Sequence, residues 1–324
     1  MVRLLRVRAG VDPGLRRVRA GTGFRYIDWR GDAPARLDLE RIHDLAIPPA
    51  WTDVWISVDP LAHIQTVGTD KAGRRQYIYH PAWRTRHDRR KFSRALMLAS
   101  TLPLARARVT KALRRDEPDR EHALAVSFRI LDTAAPRVGS TRYLTLHGSR
   151  GLTTLQRRDA RVEASTVTLS FPAKSGKRAH LDIVDQDLAT AIGALNTGRQ
   201  SSPLLWYQRG RRQVPLRPAE VNAHVRDVTG GAFTAKDFRT LRGTIIAAEA
   251  LARIGPVDTK RDRKHAEVLA VSAAADGLGN TPAIARASYI DPRVFRQYAR
   301  GHLLDLGVSP ERAIRALLDG VSAG

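Results

Sequence analysis

Gly279-Asn280-Thr281-Pro282-Ala283-Ile284-Ala285-Arg286-Ala287-Ser288-Tyr289-Ile290-Asp291-Pro292 reads as a turn, a short helix and an abrupt stop. Asn280 reads as the helix N-cap, with Pro282 in the first turn, where a missing N–H costs nothing. The helix ends near Tyr289, because Pro292 disfavours helical geometry at Asp291. A phenol stranded at a helix end, nine residues after the asparagine, can reach outward. One tyrosine so placed is more often an ordinary packing or surface residue. Its weight comes from what lies upstream.

Three segments precede it: Arg137-Val138-Gly139-Ser140, Lys174-Ser175-Gly176-Lys177, and Asp237-Phe238-Arg239-Thr240-Leu241-Arg242-Gly243. The first third of the chain adds Ile47-Pro48-Pro49-Ala50-Trp51, Val54-Trp55-Ile56, His63-Ile64-Gln65 and Gly73-Arg74-Arg75-Gln76-Tyr77-Ile78-Tyr79-His80. In this order the set resembles the type IB DNA topoisomerases, specifically their small bacterial and poxvirus-like branch, almost end to end. The resemblance implies an α+β fold. A small β-rich N-terminal domain over residues 1–90 would bind DNA, and residues 91–324 would form a mainly α-helical catalytic domain with a small β-sheet.

Breaking a DNA strand without a metal needs a nucleophile, positive charge around the phosphorane-like transition state, and a proton for the departing 5′ oxygen. The resemblance assigns these tasks. Tyr289 is the nucleophile and forms a 3′-phosphotyrosyl link; Arg137 and Arg239 grip the phosphate; Lys174 is the general acid. Asn280 stands where viral and eukaryotic relatives carry histidine, so it can donate a hydrogen bond but cannot supply an imidazolium. Two alternatives stay open on the residues themselves. Arg242 shares a helix face with Arg239, and Lys177 shares the turn with Lys174; Arg239 and Lys174 are preferred because they align with the family motifs. In the first domain the resemblance places Gln76, Tyr77 and Tyr79 in the major groove, with Lys71, Arg74 and Arg75 on the adjacent backbone.

The implied activity is relaxation of supercoiled duplex DNA by transient nicking of one strand, with neither ATP nor metal and no cofactor. The protein would act as a bacterial monomer that clamps duplex DNA, cytoplasmic and associated with the nucleoid. A tyrosine recombinase or integrase is the nearest rival, but it carries a His-x-x-Arg motif where this chain has Lys236 three residues before Arg239. A non-enzymatic duplex-binding protein is the other; keeping Arg137, Lys174, Arg239 and Tyr289 together argues against it.

Bulk properties point the same way. The 324 residues carry a formal charge of +23. Residues 1–90 hold 17 basic and 10 acidic side chains and the remainder 38 and 22, so both parts are cationic and a polyanion touching both is the natural partner. The cations are mostly arginine, whose planar fork matches phosphate oxygens. Without cysteine there is no disulfide, thiol nucleophile or thiolate zinc site. No apolar run approaches the roughly 20 residues of a membrane span, and the arginine-broken start does not read as a signal peptide, which suits a soluble intracellular protein. Asp185 and Asp187 open a predicted helix, where capping suits them better than magnesium. His63, His80 and His87 are scattered, and Gly21-Thr22-Gly23 is a turn rather than a nucleotide loop.

Strands and turns are expected from about residue 24 to 82, with a short helix near Asp38–Asp44 and a hairpin connection at Gly68–Gly73. Helical spacing follows over Asp88–Arg115, interrupted at Pro103, and over Glu121–Leu131. Ser165–Phe171 and Arg178–Ile183 read as a hairpin with Lys174 at its tip. The remainder reads as helices, among them Ala235–Ile254, opened by a Thr234/Asp237 capping box.

Overall fold

The computed structural model describes residues 2–115 and 119–319. The chain divides into two compact units, Met1–Arg90 and Lys91–Gly324.

In the first unit, β1 (Gly14–Ala20), β2 (Gly23–Ile27), β3 (Thr52–Ser57), β4 (Ile64–Thr69) and β5 (Arg75–Tyr79) form one antiparallel sheet in the order β2-β1-β3-β4-β5. Helix α1 (Arg36–Asp44) packs Ile42 against Leu15, Val54 and Ile56 to make a small core. Strand β1 lies outside the sequence expectation. Its arginines at 16, 17 and 19 hide the alternation, and only Gly14 and Leu15 are fully buried. A Cβ on Gly14 would stand 2.0 Å from the Trp55 indole nitrogen, so only glycine lets β1 lie so close to β3. Arg17 donates to the carbonyls of Ile47, Pro48 and Trp51 at 3.3, 3.1 and 2.6 Å, which pins the Ile-Pro-Pro-Ala-Trp loop to the sheet.

The division between units falls within α2 (Pro81–Leu113), which starts earlier than the expected Asp88 and runs through Pro103 without a break. Pro103 removes one backbone donor, but Leu98, Leu102, Ala105 and Val109 continue a single buried face across it. Packing overrides the local penalty.

The second unit is mainly helical: α3 (Arg120–Ala134), α4 (Thr141–His147), α5 (Gln186–Leu195), α6 (Pro218–Thr229), α7 (Ala235–Ile254), α8 (Lys260–Leu278), α9 (Pro282–Ser288), α10 (Arg293–Ala299) and α11 (Pro310–Leu318). Between α4 and α5 lies a three-stranded antiparallel sheet, β6 (Ala160–Glu163), β7 (Thr166–Pro172) and β8 (Arg178–Val184). A second hairpin, β9 (Trp206–Arg209) and β10 (Arg212–Pro215), turns at Gly210 and corrects the expectation that only helices follow β8. Four-residue strands carry too little alternation to announce themselves. Helix α4 was also not anticipated, because it buries no side chain and so has no apolar stripe. A single continuous core fills the unit, with Phe128 of α3 wholly buried and edge-on to Phe238 of α7. The fold is α+β: a small antiparallel β unit followed by a helical unit with a small sheet. No helix among the described residues is long and apolar enough to cross a membrane.

Candidate active site

Helix α7 is the platform. Its first turn is closed by a capping box in which the Asp237 carboxylate accepts from the backbone N–H and hydroxyl of Thr234, at 2.8 and 2.9 Å. Asp237 is wholly buried, and Arg94 supplies its counter-charge at 2.8 Å. Two residues on, Arg239 points inward, only 5% exposed. Its guanidinium donates to Ala135 O at 2.7 Å and Leu278 O at 2.9 Å, the carbonyl ends of α3 and α8. Helix C-termini carry partial negative charge, so two of them can hold a buried cation without a carboxylate.

The same two helix ends deliver the remaining groups. Beyond α3 the chain reaches Arg137, which donates to Gly279 O at 3.4 and 3.5 Å and to the side-chain oxygen of Asn280. Gly279 adopts the left-handed conformation that ends α8, and the Asn280 N–H returns to Ala275 O at 2.8 Å. Asn280 is therefore not the N-cap of the next helix. Thr281 is, its hydroxyl accepting from the Ile284 N–H, while Asn280 turns inward and is 6% exposed. Arginine can only donate, so its partner on Asn280 must be Oδ1 and the free end must be the NH2 group. That Nδ2 is buried and has no hydrogen-bond partner among the described residues. Buried donors are normally satisfied.

Tyr289 closes α9, as expected, as its C-terminal cap. The Arg239 guanidinium carbon lies 5.0 Å from the Tyr289 ring centroid. Burial pushes the phenol's pKa up, but the charge and hydrogen bonding of Arg239, with the charges of Arg137 and Lys236, outweigh it and hold the pKa below the ordinary tyrosine value. Burial lowers the pKa of Arg239 itself; Tyr289 offsets part of this and Arg137 adds to it. Lys236, which stands where a recombinase carries histidine, lies three residues before Arg239 on the same helix, a spacing that puts both side chains on one face. Arg242 is exposed on the next turn, so Arg239 is the arginine that meets the phenol. Tyr298 is committed elsewhere, buried and donating to Gly255 O at 2.8 Å.

Lys174 opens the 3-10 turn Lys174–Gly176 at the tip of the β7–β8 hairpin, where Gly176 takes a positive φ of 71°. It is exposed and lines a cavity of about 460 Å³ together with Arg137, Arg239, Arg242 and Lys177. Tyr289 is not among the lining residues. Both hairpin lysines border this cavity. Asp185 caps α5 through the Leu188 N–H and pairs with Arg129, and Asp187 pairs with Arg114. No cluster of three or more potential metal ligands occurs among the described residues.

In the first unit, Tyr77 and Tyr79 lie on the exposed face of β5, stacked at 5.8 Å between centroids. Arg75 covers Tyr77 at 6.0 Å. Gln76 belongs to the opposite face, where its amide donates to Asp70 at 2.8 Å. Arg74 also donates to Asp70, at 2.8 Å, and these bonds hold the Asp70 carboxyl far below its usual range. Lys71 is exposed at the tip of the β4–β5 turn.

Two families match the chain: "Eukaryotic DNA topoisomerase I, catalytic core" over residues 80–299, and "Bacterial DNA topoisomerase IB, N-terminal domain" over residues 23–70. Among curated proteins, the chain is similar to "DNA topoisomerase 1B" of Acanthamoeba polyphaga mimivirus, with 27% identity over 289 residues, covering 86% of this chain and 85% of the viral protein. The catalytic-core match spans more than half of the chain, across the helices that bring Arg137, Arg239, Asn280 and Tyr289 together. The chain belongs to the type IB DNA topoisomerase family, isomerases that act on DNA.

Proposed function

We propose that the protein relaxes supercoiled duplex DNA through a 3′-phosphotyrosyl intermediate at Tyr289, without ATP or metal. The phenol oxygen attacks phosphorus, the bond from phosphorus to the 5′ oxygen breaks, and the free 5′-hydroxyl strand rotates before reversing the step. The lowered pKa of Tyr289 favours loss of its proton. Arg137, Arg239 and the Asn280 amide donate to the nonbridging oxygens, where charge builds in the transition state. Lys174 gives a proton to the 5′ oxygen as it leaves.

The observation that carries this reading is the buried Asn280 NH2, unpartnered among the described residues, on an amide gripped by Arg137, together with Arg239 set against the Tyr289 ring. A buried donor without a partner costs free energy, and an anionic oxygen that accepts from it offsets that cost. Residues 1–90 act as the DNA-binding domain and 91–324 as the catalytic domain. Tyr77, Tyr79, Arg75 and Lys71 offer DNA an exposed aromatic and cationic face, whereas Arg74 and Gln76 engage it by exchanging their bonds to Asp70. The protein acts as a monomer on the bacterial nucleoid.

Plasmid relaxation with chelator present and ATP absent, followed by a denaturing gel for covalent protein–DNA adduct, tests the reading. Wild type should relax and form adduct, and Tyr289→Phe should bind DNA but do neither. Adduct at the wild-type level in Tyr289→Phe, or absolute dependence on magnesium, would refute it.

A further inference from the structure

One turn beyond Arg239, α7 presents Gly243 and Thr244 to the main chain of Tyr289. Gly243 is buried in the middle of a twenty-residue helix, a place where alanine is intrinsically the better helix former. A Cβ at this position would stand 2.8 Å from Tyr289 O, 3.0 Å from Tyr289 Cβ and 2.9 Å from a Leu278 methyl. The leucine methyl can rotate away. The tyrosine backbone cannot, because it is held from both sides. Its N–H donates to Ala285 O at 2.9 Å.

Its carbonyl lies 3.2 Å from the Thr244 hydroxyl, which also lies 2.8 Å from Thr240 O, so one proton serves two acceptors. The same hydroxyl accepts from the Asp291 N–H at 3.1 Å. Thr244 and Asp291 are 3% and 2% exposed. Downstream, the Asp291 carboxylate accepts from the Arg293 N–H at 2.9 Å and from its guanidinium at 2.6 Å, closing the turn after the tyrosine.

We propose that Gly243 and Thr244 are positioning residues that seat the Tyr289 backbone directly on α7, so that its phenol reaches the Arg239 guanidinium carried one turn earlier on the same helix. The proposal rests on Tyr289 being the nucleophile. Glycine is required at 243 because the tyrosine backbone occupies the volume of a side chain, and a hydroxyl at 244 because it joins both peptide groups flanking Ile290. Nucleophile and phosphate clamp then share one rigid element, and their separation is set by helix geometry rather than by loop conformation.

The test compares wild type, Gly243→Ala, Thr244→Ser and Thr244→Val in single-turnover adduct formation across pH, with duplex affinity and thermal transitions measured in parallel. A misplacement near 1 Å can cost about 100-fold in rate, so Gly243→Ala should lose about that much while its affinity for duplex is unchanged and its thermal transition is retained. Its ascending pH limb should move to higher pH, because a phenol pushed away from Arg239 regains its ordinary acidity; a purely structural role would not move that limb. Thr244→Ser should resemble wild type, and Thr244→Val should lose about tenfold. If Gly243→Ala does not fold, the Thr244 pair decides alone.

A folded Gly243→Ala that forms adduct at the wild-type rate, or identical Thr244→Ser and Thr244→Val, overturns the seat. Failure of the underlying assignment looks different: wild type itself would then give no adduct, or an adduct mapping to another tyrosine.

Discussion

Replacing Asn280 by aspartate should move stability and activity in opposite directions. The exchange is nearly isosteric and leaves the backbone bond from residue 280 to Ala275 O in place. It keeps the oxygen that Arg137 grips and removes the buried NH2 that has no partner. An orphaned buried donor costs about 1–3 kcal/mol. The new carboxylate must be desolvated, since the site is 6% exposed, but it enters beside Arg137 and Arg239, which are held there by carbonyl and amide oxygens. With the two guanidinium charges offsetting the desolvation, the relief of the orphan is what remains, and its lower end, about 1 kcal/mol, corresponds to a rise of about 2–4 °C in melting temperature for a unit of this size.

Cleavage should fall steeply. Loss of one preorganised donor to a developing oxyanion costs about 10²–10³ in rate. A negative charge about 4 Å from the nonbridging oxygens adds up to about 4 kcal/mol of repulsion at an effective dielectric constant near 20. Together these put the variant at least about 10³-fold below wild type. Asn280→Ala loses the donor but also the oxygen facing Arg137, so it should be less stable than wild type and less impaired in cleavage than Asn280→Asp. Thermal melts without DNA and single-turnover adduct formation read the two quantities separately. If Asn280→Asp cleaves within about tenfold of wild type, or melts with Asn280→Ala below it, the orphaned amide is not a phosphate donor.

Further outcomes follow from the same geometry. If Lys174 protonates the 5′ oxygen, Lys174→Ala should slow cleavage of ordinary DNA by about 10²–10⁴ yet cleave a 5′-bridging phosphorothiolate nearly as fast as wild type does; equal defects on both substrates would leave lysine a mere clamp, with Lys177→Ala as the control. Because the Tyr289 pKa is lowered in the fold, adduct formation should rise with pH and level off below the ordinary phenol range near 10. Ionised Tyr289 adds stability that is fully present only above the unfolded pKa and is lost as pH falls through the folded one. Arg239→Ala should push the rate limb upward, and an unmoved limb would exclude Arg239 as the cause. Arg94→Ala leaves the Asp237 carboxylate buried with only its Thr234 bonds, and because Arg94 itself is half-exposed, denaturant melts should show a loss of about 2 kcal/mol rather than more. If roughly 6–10 phosphates are neutralised, DNA affinity should fall about 10³–10⁵ between 50 and 200 mM salt, and a nearly flat curve would contradict extensive backbone contact.

The helix around Tyr289, the Thr234/Asp237 box and the Lys174 hairpin were legible in sequence because each is local: a proline, a capping pair and a Ser-Gly turn act within a few residues. Identity came from ordered motifs, which need no geometry. The local rules misplaced what packing decides. Pro103 does not stop α2, since a buried face continues past it, and Asn280 yields the N-cap to Thr281 because Arg137, 143 residues away, draws its side chain inward. Strand β1 and the β9–β10 hairpin escaped notice for want of alternation; period-two alternation sets Gln76 opposite Tyr77 and Tyr79, but its bond to Asp70 exists only in the fold. The cation cluster itself is tertiary. Arg239 is held by the carbonyl ends of α3 and α8, from 104 and 39 residues away, and Tyr289 meets it only because Gly243 leaves room for a backbone. Sequence specifies which groups are available and which local turns carry them; the separations that set pKa values and leave a donor unpaired exist only once distant helix ends are packed together, because Coulombic and hydrogen-bond energies depend on distance through space.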